Sequence, residues 1–361
     1  MKKIIVIADI HIGNRPSEIL KKEINWFFKE VKKLTKKDDL SMIVVAGDVF
    51  DKKISFNSED AKLAIQFMTK LNELTKKNIY IRIIRGTLSH DLEQLENFRK
   101  FEKKNKLFRI INKLESEKVM DNKILWVPEE YEKNYEEYSQ PFIVGKKYNY
   151  IFGHGTFDFV AHSSVISESE RPIKNAPVLK AKIWKDLADL LVFGHNHTKI
   201  NYKNIHYTGS FSRSCFGEEE DKGFFIIEDK LKSIIDFKKN IYAPEFKSID
   251  LKKIIKEDEP IEDIIEKIEN LKKQYANIRI TSLPEGLANV EIFSSYFKKD
   301  ENVKLSILAE LKPKKREDKF DFVFDKSLSI YKKIAKFINL KYDKKIKSKR
   351  IKRFFNEKKE E

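Results

Sequence analysis

The chain contains one cysteine, Cys215, in 361 residues. No internal disulfide can form and no thiolate cluster can assemble, so a bound metal must be held by oxygen and nitrogen donors. That usage fits a reducing, cytoplasmic setting. Long apolar runs are missing as well. None approaches the ~18 residues of a membrane helix. The basic start Met1-Lys2-Lys3 leads into an apolar run that Asp9 and His11 soon break, which is too short for a signal peptide and reads better as a first strand. There is no internal repeat and no Gly/Ser or Gln/Asn tract. These absences exclude a disulfide-stapled scaffold, a helical membrane protein and a solenoid.

Charge is abundant. Charged residues make up 36% of the chain and apolar residues 41%. Lys and Arg number 73 against 57 Asp and Glu, a net charge of +16 that favours a polyanionic partner such as nucleic acid. The plain alternative is a lysine-rich surface that only solvates the fold. The length suffices for two or three modest domains.

Hydrophobic patterning predicts an α/β class over residues 1–240. Ile4–Ala8, Met42–Ala46 and Ile79–Ile84 are continuous apolar runs, as in strands buried on both faces. Ile24, Phe27, Phe28, Val31 and Leu34 share one helix face, and Ala64, Phe67, Met68, Leu71 and Leu74 another. Further strands are expected at 150–152, 190–193, 223–227 and 233–237. After Tyr242-Ala243-Pro244 the pattern predicts a smaller α+β unit over 245–312, with a helix from Ile261 to Leu271 and a strand over 278–281. Beyond the charged stretch from Lys312 to Lys319, residues 320–361 read as a helical tail. Its last part, 341–361, holds ten Lys/Arg against four Asp/Glu, so a basic DNA-binding arm competes there with a partner-docking helix.

Five short motifs carry the chemistry, and four follow predicted strands directly. They are Asp9-Ile10-His11-Ile12-Gly13, Gly47-Asp48-Val49-Phe50-Asp51, Gly86-Thr87-Leu88-Ser89-His90-Asp91, Gly153-His154-Gly155 and Gly194-His195-Asn196-His197. Loops at the carboxyl ends of strands in an open α/β sheet converge on one crevice. Side chains distant in sequence can meet there, and Asp and His donors suit manganese, iron or zinc. Each motif alone is a common turn or a structural histidine. Together they hold five of the seven histidines, which is hard to obtain by chance. His162 and His206 fall outside them and read as structural.

This order of motifs resembles the calcineurin-like metallophosphoesterases, and within them the SbcD type of DNA-repair exonuclease. Asp9-Ile10-His11-Ile12-Gly13 lacks the glycine that protein phosphatases place directly after the histidine. Phe50 is typical of the nucleases, and no Arg-Gly follows Asp51. Tyr207-Thr208-Gly209-Ser210, with Arg213, Phe216 and Glu218, is similar to the segment after the last histidine motif in those enzymes.

The resemblance implies a layered metallophosphoesterase fold of β-sheets flanked by helices. A nuclease domain would span 1–240, a capping domain 245–312 and a helical tail 320–361 that docks on an SbcC-type coiled-coil ATPase. It implies two divalent cations, manganese first, with magnesium, iron or zinc as alternatives. One would be held by Asp9, His11, Asp48 and His197, the other by Asp48, Ser89, His154 and His195. Ser89 stands where the family has asparagine, with Thr87 the lesser substitute. A metal-activated water would attack the phosphodiester and His90 would protonate the leaving oxygen, with Asp51 either orienting His90 or closing its loop by a hydrogen bond. Arg15, Lys52, Lys53, Arg85 and Arg213, in or beside the motif loops, are candidate phosphate contacts. The partners implied are DNA, single- or double-stranded, the ATPase and a second copy of the chain. A phosphatase or cyclic-nucleotide phosphodiesterase, and a non-catalytic scaffold binding DNA ends, are the competing readings.

Overall fold

The computed structural model describes residues 2–37, 39–91, 93–131, 134–161, 176–255, 259–274, 277–282, 303–305, 329, 332–335 and 347. Two six-stranded sheets lie face to face. The first runs Ser233–Lys239, Gly223–Glu228, Lys3–Ile7, Leu40–Ala46, Tyr80–Ile84, Phe108–Ile111. Its last four strands are parallel, and the two C-terminal ones join antiparallel. The second runs Asn201–Tyr202, Ile205–Tyr207, Ala188–Gly194, Tyr148–His154, Asn122–Val127, Glu115–Val119, with parallel pairing through its centre.

Strand alternation explains why the apolar runs are unbroken. Ile4, Val6, Met42 and Val44 point between the sheets, where they meet Trp126, Tyr150, Phe152 and Val192. Ile5, Ile7, Ile43 and Val45 point the other way, onto the helices Ser17–Thr35 and Glu59–Leu74 through Leu20, Ile24, Phe27, Phe67 and Leu71. Ser58 caps the second of these helices, its hydroxyl accepting from Ala61 N at 3.1 Å. The outer face of the second sheet packs Ile151, Leu191 and Phe193 on Phe157 and Trp184.

Ion pairs cross the sandwich: Arg109 pairs with Glu115 and Glu117 at 2.6 and 3.2 Å, and Arg82 pairs with Glu117. Arg82, 1% exposed, donates from Nε and Nη2 to the Glu117 carboxylate at 2.9 and 2.7 Å. Its Nη1 donates to Ile81 O and Leu107 O.

The strands expected over residues 1–240 are all present. Seven more among the described residues go beyond that expectation: Phe108–Ile111, Glu115–Val119, Asn122–Val127, Thr156–Phe157, Val178–Leu179, Asn201–Tyr202 and Ile205–Tyr207. Glu115–Val119 is a half-exposed edge strand whose Glu-Ser-Glu-Lys sequence carries no apolar run. Residues Phe246–Asp250, Asn277–Ser282 and Val303–Leu305 form a parallel sheet beside the helix Ile261–Gln274. These elements share a core of their own, built on Ile249, Leu251, Ile264, Ile268, Ile278 and Ile280. Apart from residues 329, 332–335 and 347, the expected helical tail lies outside the described residues. Among the described residues, no helix is long and apolar enough to cross a membrane.

Candidate metal centre

Parallel strands deliver the motif loops to one edge of the sandwich. Lys3–Ile7, Leu40–Ala46 and Tyr80–Ile84 end at Asp9, Asp48 and Gly86, while Tyr148–His154 and Ala188–Gly194 end side by side at His154 and His195. The first two loops are zipped together, with Ile10 N and His11 N both donating to Asp48 O and Ile12 N donating to Val49 O. Four of the eight non-glycine residues with positive φ among the described residues are candidate ligands: Asp9, His11, Asp48 and His195. Left-handed backbone costs roughly 1–3 kcal/mol at each such position, so this strain is concentrated where the donors must turn inward. Gly47, at φ +88°, has no room for a side chain, because a Cβ there would lie 2.1 Å from His154 Nδ1.

Asp48 is the centre of the cluster. Its Oδ1 accepts from Thr87 N at 2.6 Å and lies 3.4 Å from His154 Nε2. Its Oδ2 lies 2.9 Å from His90 Nδ1 and 3.9 Å from His11 Nε2. The two oxygens therefore face two different donor groups. On one side are Asp9, His11 and His197, on the other Glu129, His154 and His195.

Neighbours outside these groups fix the histidine tautomers. His197 donates from Nδ1 to Glu218 at 2.7 Å, and His154 donates from Nδ1 to Ala46 O at 2.9 Å. Each is thereby left with Nε2 as the available donor, the usual arrangement for a metal-ligating histidine. Asp9 is held by His195 N, which donates to both carboxylate oxygens. Asp91, fully buried, accepts from Phe50 N and Gly86 N and ties the second and third loops together.

The electrostatics are those of crowded donors. Burial pushes Asp9 up to about 6, against the pull of His154 and His197. Burial and the neighbouring His197 hold His11 well below the usual histidine range. Burial likewise brings His195 down to about 4. Burial alone would lower His154, but Asp48, Asp9 and Glu129 raise it to about 10. Burial would also lower His90, and the hydrogen bond and charge of Asp48 outweigh it, raising the group. His11 Nδ1 is buried without a hydrogen-bond partner, and His11 Nε2 faces His197 Nε2 at 3.0 Å. Imidazoles crowded against carboxylates are the donor set a divalent cation takes, with loss of any proton the ligating nitrogen carries.

Residues 2–232 match the family model for calcineurin-like phosphoesterases. The chain belongs to that family. Its members are metal-dependent hydrolases, and the donors gathered here fit that chemistry. No curated protein matches the chain. Among solved structures, a crystal structure aligns at 13% identity and a TM-score of 0.42, over 66% of this chain and 98% of its own.

In this phosphoesterase, seven of the expected residues come together: Asp9, His11, Asp48, His90, His154, His195 and His197. Ser89 does not join them. Residues 87–91 form a helical turn, with His90 N and Asp91 N donating to Thr87 O. Thr87, His90 and Asp91 are spaced i, i+3, i+4 and share its inner face, whereas Ser89 falls outside and is exposed. The hydroxyl that reaches the cluster is that of Thr87, 2.9 Å from Glu129 Oε2 and 3.4 Å from His154 Nε2. Asp51 also departs from expectation. His90 bonds to Asp48, and the Asp51 carboxylate lies 3.6 Å from His11 Nδ1.

The basic candidates divide in the same way. Lys52 and Lys53 are exposed at the rim. Arg85 is half-buried and donates to Glu129 O at 3.3 Å. Arg15 and Arg213 are corrected, because their guanidinium groups face inward. Arg15 donates to Ile10 O at 2.9 Å and pairs with buried Glu23. Arg213, 6% exposed, donates to Glu220 O at 2.9 Å and reaches Ala243 O. Glu129 belongs to none of the five sequence motifs. It stands just past the carboxyl end of Asn122–Val127, a strand end that the sheet order places beside His154.

Proposed function

We propose that this phosphoesterase is a two-cation DNA nuclease, the end-processing subunit of a repair or recombination complex. The observation that carries the two-cation reading is Asp48, whose two oxygens face separate donor groups. Asp9, His11, Asp48 and His197 hold one cation, and Asp48, His154 and His195 hold the other, with manganese our first choice of metal. Bound there, the cations supply Lewis acidity to the phosphoryl oxygens and lower the pKa of a coordinated water.

His90 lies beside the bridging carboxylate and is partly exposed to the cleft. With Nδ1 hydrogen-bonded to Asp48, Nε2 is the nitrogen that delivers a proton to the leaving oxygen. Asp51 places its carboxylate 3.6 Å from His11 Nδ1. The net charge of +16 and the exposed Lys52 and Lys53 at the rim support a polyanionic substrate over a small phosphomonoester. We further propose a coiled-coil ATPase as partner, docked through residues 320–361, with 245–312 as a capping domain and the chain acting as a homodimer.

The test compares wild type with His90→Ala, loaded with Mn²⁺, on linear duplex DNA, single-stranded DNA and a chromogenic phosphodiester. Wild type cleaves DNA, and the variant is slower by roughly 10²–10⁴-fold with Mn²⁺ binding retained. Equal rates in the two proteins would reject His90 as the acid. Cleavage of the small ester alone would reject DNA as substrate.

A further inference from the structure

Glu129 lies 2% exposed on the loop after Asn122–Val127, on the side of the cluster away from His11. Its Oε2 is 3.7 Å from His154 Nε2 and 3.6 Å from His195 Nδ1. His154 Nε2 is in turn 3.4 Å from Asp48 Oδ1. These separations are long for hydrogen-bonded ion pairs. They are close to the edges of a coordination polyhedron, since ligands bound at ~2.0–2.2 Å stand roughly 3.0–3.6 Å apart.

We propose that Glu129 is a direct ligand of the second cation, giving that site two carboxylates, two imidazoles and the neighbouring Thr87 hydroxyl. The proposal rests on the two-cation reading above and goes beyond it in naming the ligand and the charge of the site.

Two further observations support it. The carboxylate is aimed by hydrogen bonds: Oε1 accepts from Tyr131 OH at 3.1 Å and Oε2 from Thr87 Oγ1 at 2.9 Å. Both donors are neutral. Among the described residues, no Lys or Arg side chain pairs with this carboxylate, and Arg85 reaches only the Glu129 backbone carbonyl. The carboxylate's ion-pair partners among the described residues are histidines alone, His154 at 3.7 Å and His195 at 3.6 Å. A divalent ion between Glu129, His154, His195 and Asp48 would take the place of any histidine proton and offset the buried carboxylates. The extra carboxylate makes the second site a strong one for a first-row divalent cation with nitrogen and oxygen preference.

The experiment titrates metal-free full-length chain with Mn²⁺ by calorimetry, comparing wild type, Glu129→Gln and Ser89→Ala. Wild type binds two ions. Glu129→Gln keeps one tight site and weakens the other at least tenfold, with the metal-free protein still unfolding cooperatively on heating. Ser89→Ala titrates as wild type. Two wild-type sites with Glu129→Gln unaltered would overturn the proposal and leave the two-cation reading standing. A wild type that binds one ion or none would instead overturn that reading. A crystal structure of the Mn²⁺-loaded wild type decides the matter even if Glu129→Gln does not fold. An ion in contact with Glu129 Oε2 supports the assignment, and an ion bound by Ser89 in its place refutes it.

Discussion

Glu218 accepts a hydrogen bond from His197 Nδ1 at 2.7 Å and thereby turns His197 Nε2 toward His11 Nε2. Burial alone would raise Glu218, yet His197 and Lys222 hold it at about 2. The carboxylate therefore remains ionised at any working pH and keeps His197 in one tautomer. Partners of this kind contribute roughly 10–100-fold to metal affinity. Glu218→Gln is expected to weaken the first cation site by that factor, read by Mn²⁺ calorimetry, and to leave the second within twofold of wild type.

Gly47 is a steric requirement. An added Cβ would lie 2.1 Å from His154 Nδ1 on a backbone already at φ +88°. Gly47→Ala is expected to lose about 2–4 kcal/mol of stability, from overpacking and backbone strain together. Thermal unfolding of the metal-free protein measures this. A melting temperature equal to that of wild type would show that the loop has another way to turn.

The Arg82–Glu117 pair sets an acid limit on the sandwich. Burial alone would raise Glu117, but the hydrogen bond and charge of Arg82, with Arg109 beside it, hold it below the usual glutamate range. A carboxyl depressed in the folded state contributes stability that is complete above its unfolded value near 4.5 and disappears as pH falls through its folded value. Glu117→Gln leaves Arg82 buried and unpaired, which costs about 3 kcal/mol at neutral pH. Its stability is then expected to fall less steeply than wild type on acidification below about 4.5. Chemical denaturation at pH 7 and pH 4 measures both effects.

Arg213 and the Lys52–Lys53 pair separate structural from phosphate-binding cations. Arg213 is hydrogen-bonded to backbone carbonyls on both sides of the strand pair 223–239. Arg213→Ala should lower the melting temperature without changing the slope of log affinity against log salt for DNA. Replacing Lys52 and Lys53 together by Ala should leave stability intact and reduce that slope by about one to two. A reversed pattern would return Arg213 to the DNA surface.

Much of the fold and of the centre can be read from local sequence. Strands buried on both faces, such as Ile4–Ala8, declare themselves as continuous apolar runs. The order of Asp9, His11, Asp48, His90, His154, His195 and His197 announces a phosphoesterase before any coordinates are known. That much depends on residue type and periodicity, which are local properties. Which side chains meet depends on how the strand ends are brought together. One helical turn starting at Thr87 carries Ser89 out to solvent and puts the Thr87 hydroxyl inside. The short run Ile124-Leu125-Trp126-Val127 marks a strand but no histidine or aspartate motif follows it, so Glu129 is found only once the sheet order places that strand end beside His154. Arg15 and Arg213 look like free cations in sequence, because the carbonyls that accept their hydrogen bonds lie in other segments of the chain. The sequence alone determined the family and named most of the residues that gather around Asp48. Only the packing of the two sheets decided that Glu129 and Thr87, and not Ser89, complete the group around Asp48, since that choice depends on distances no linear pattern encodes.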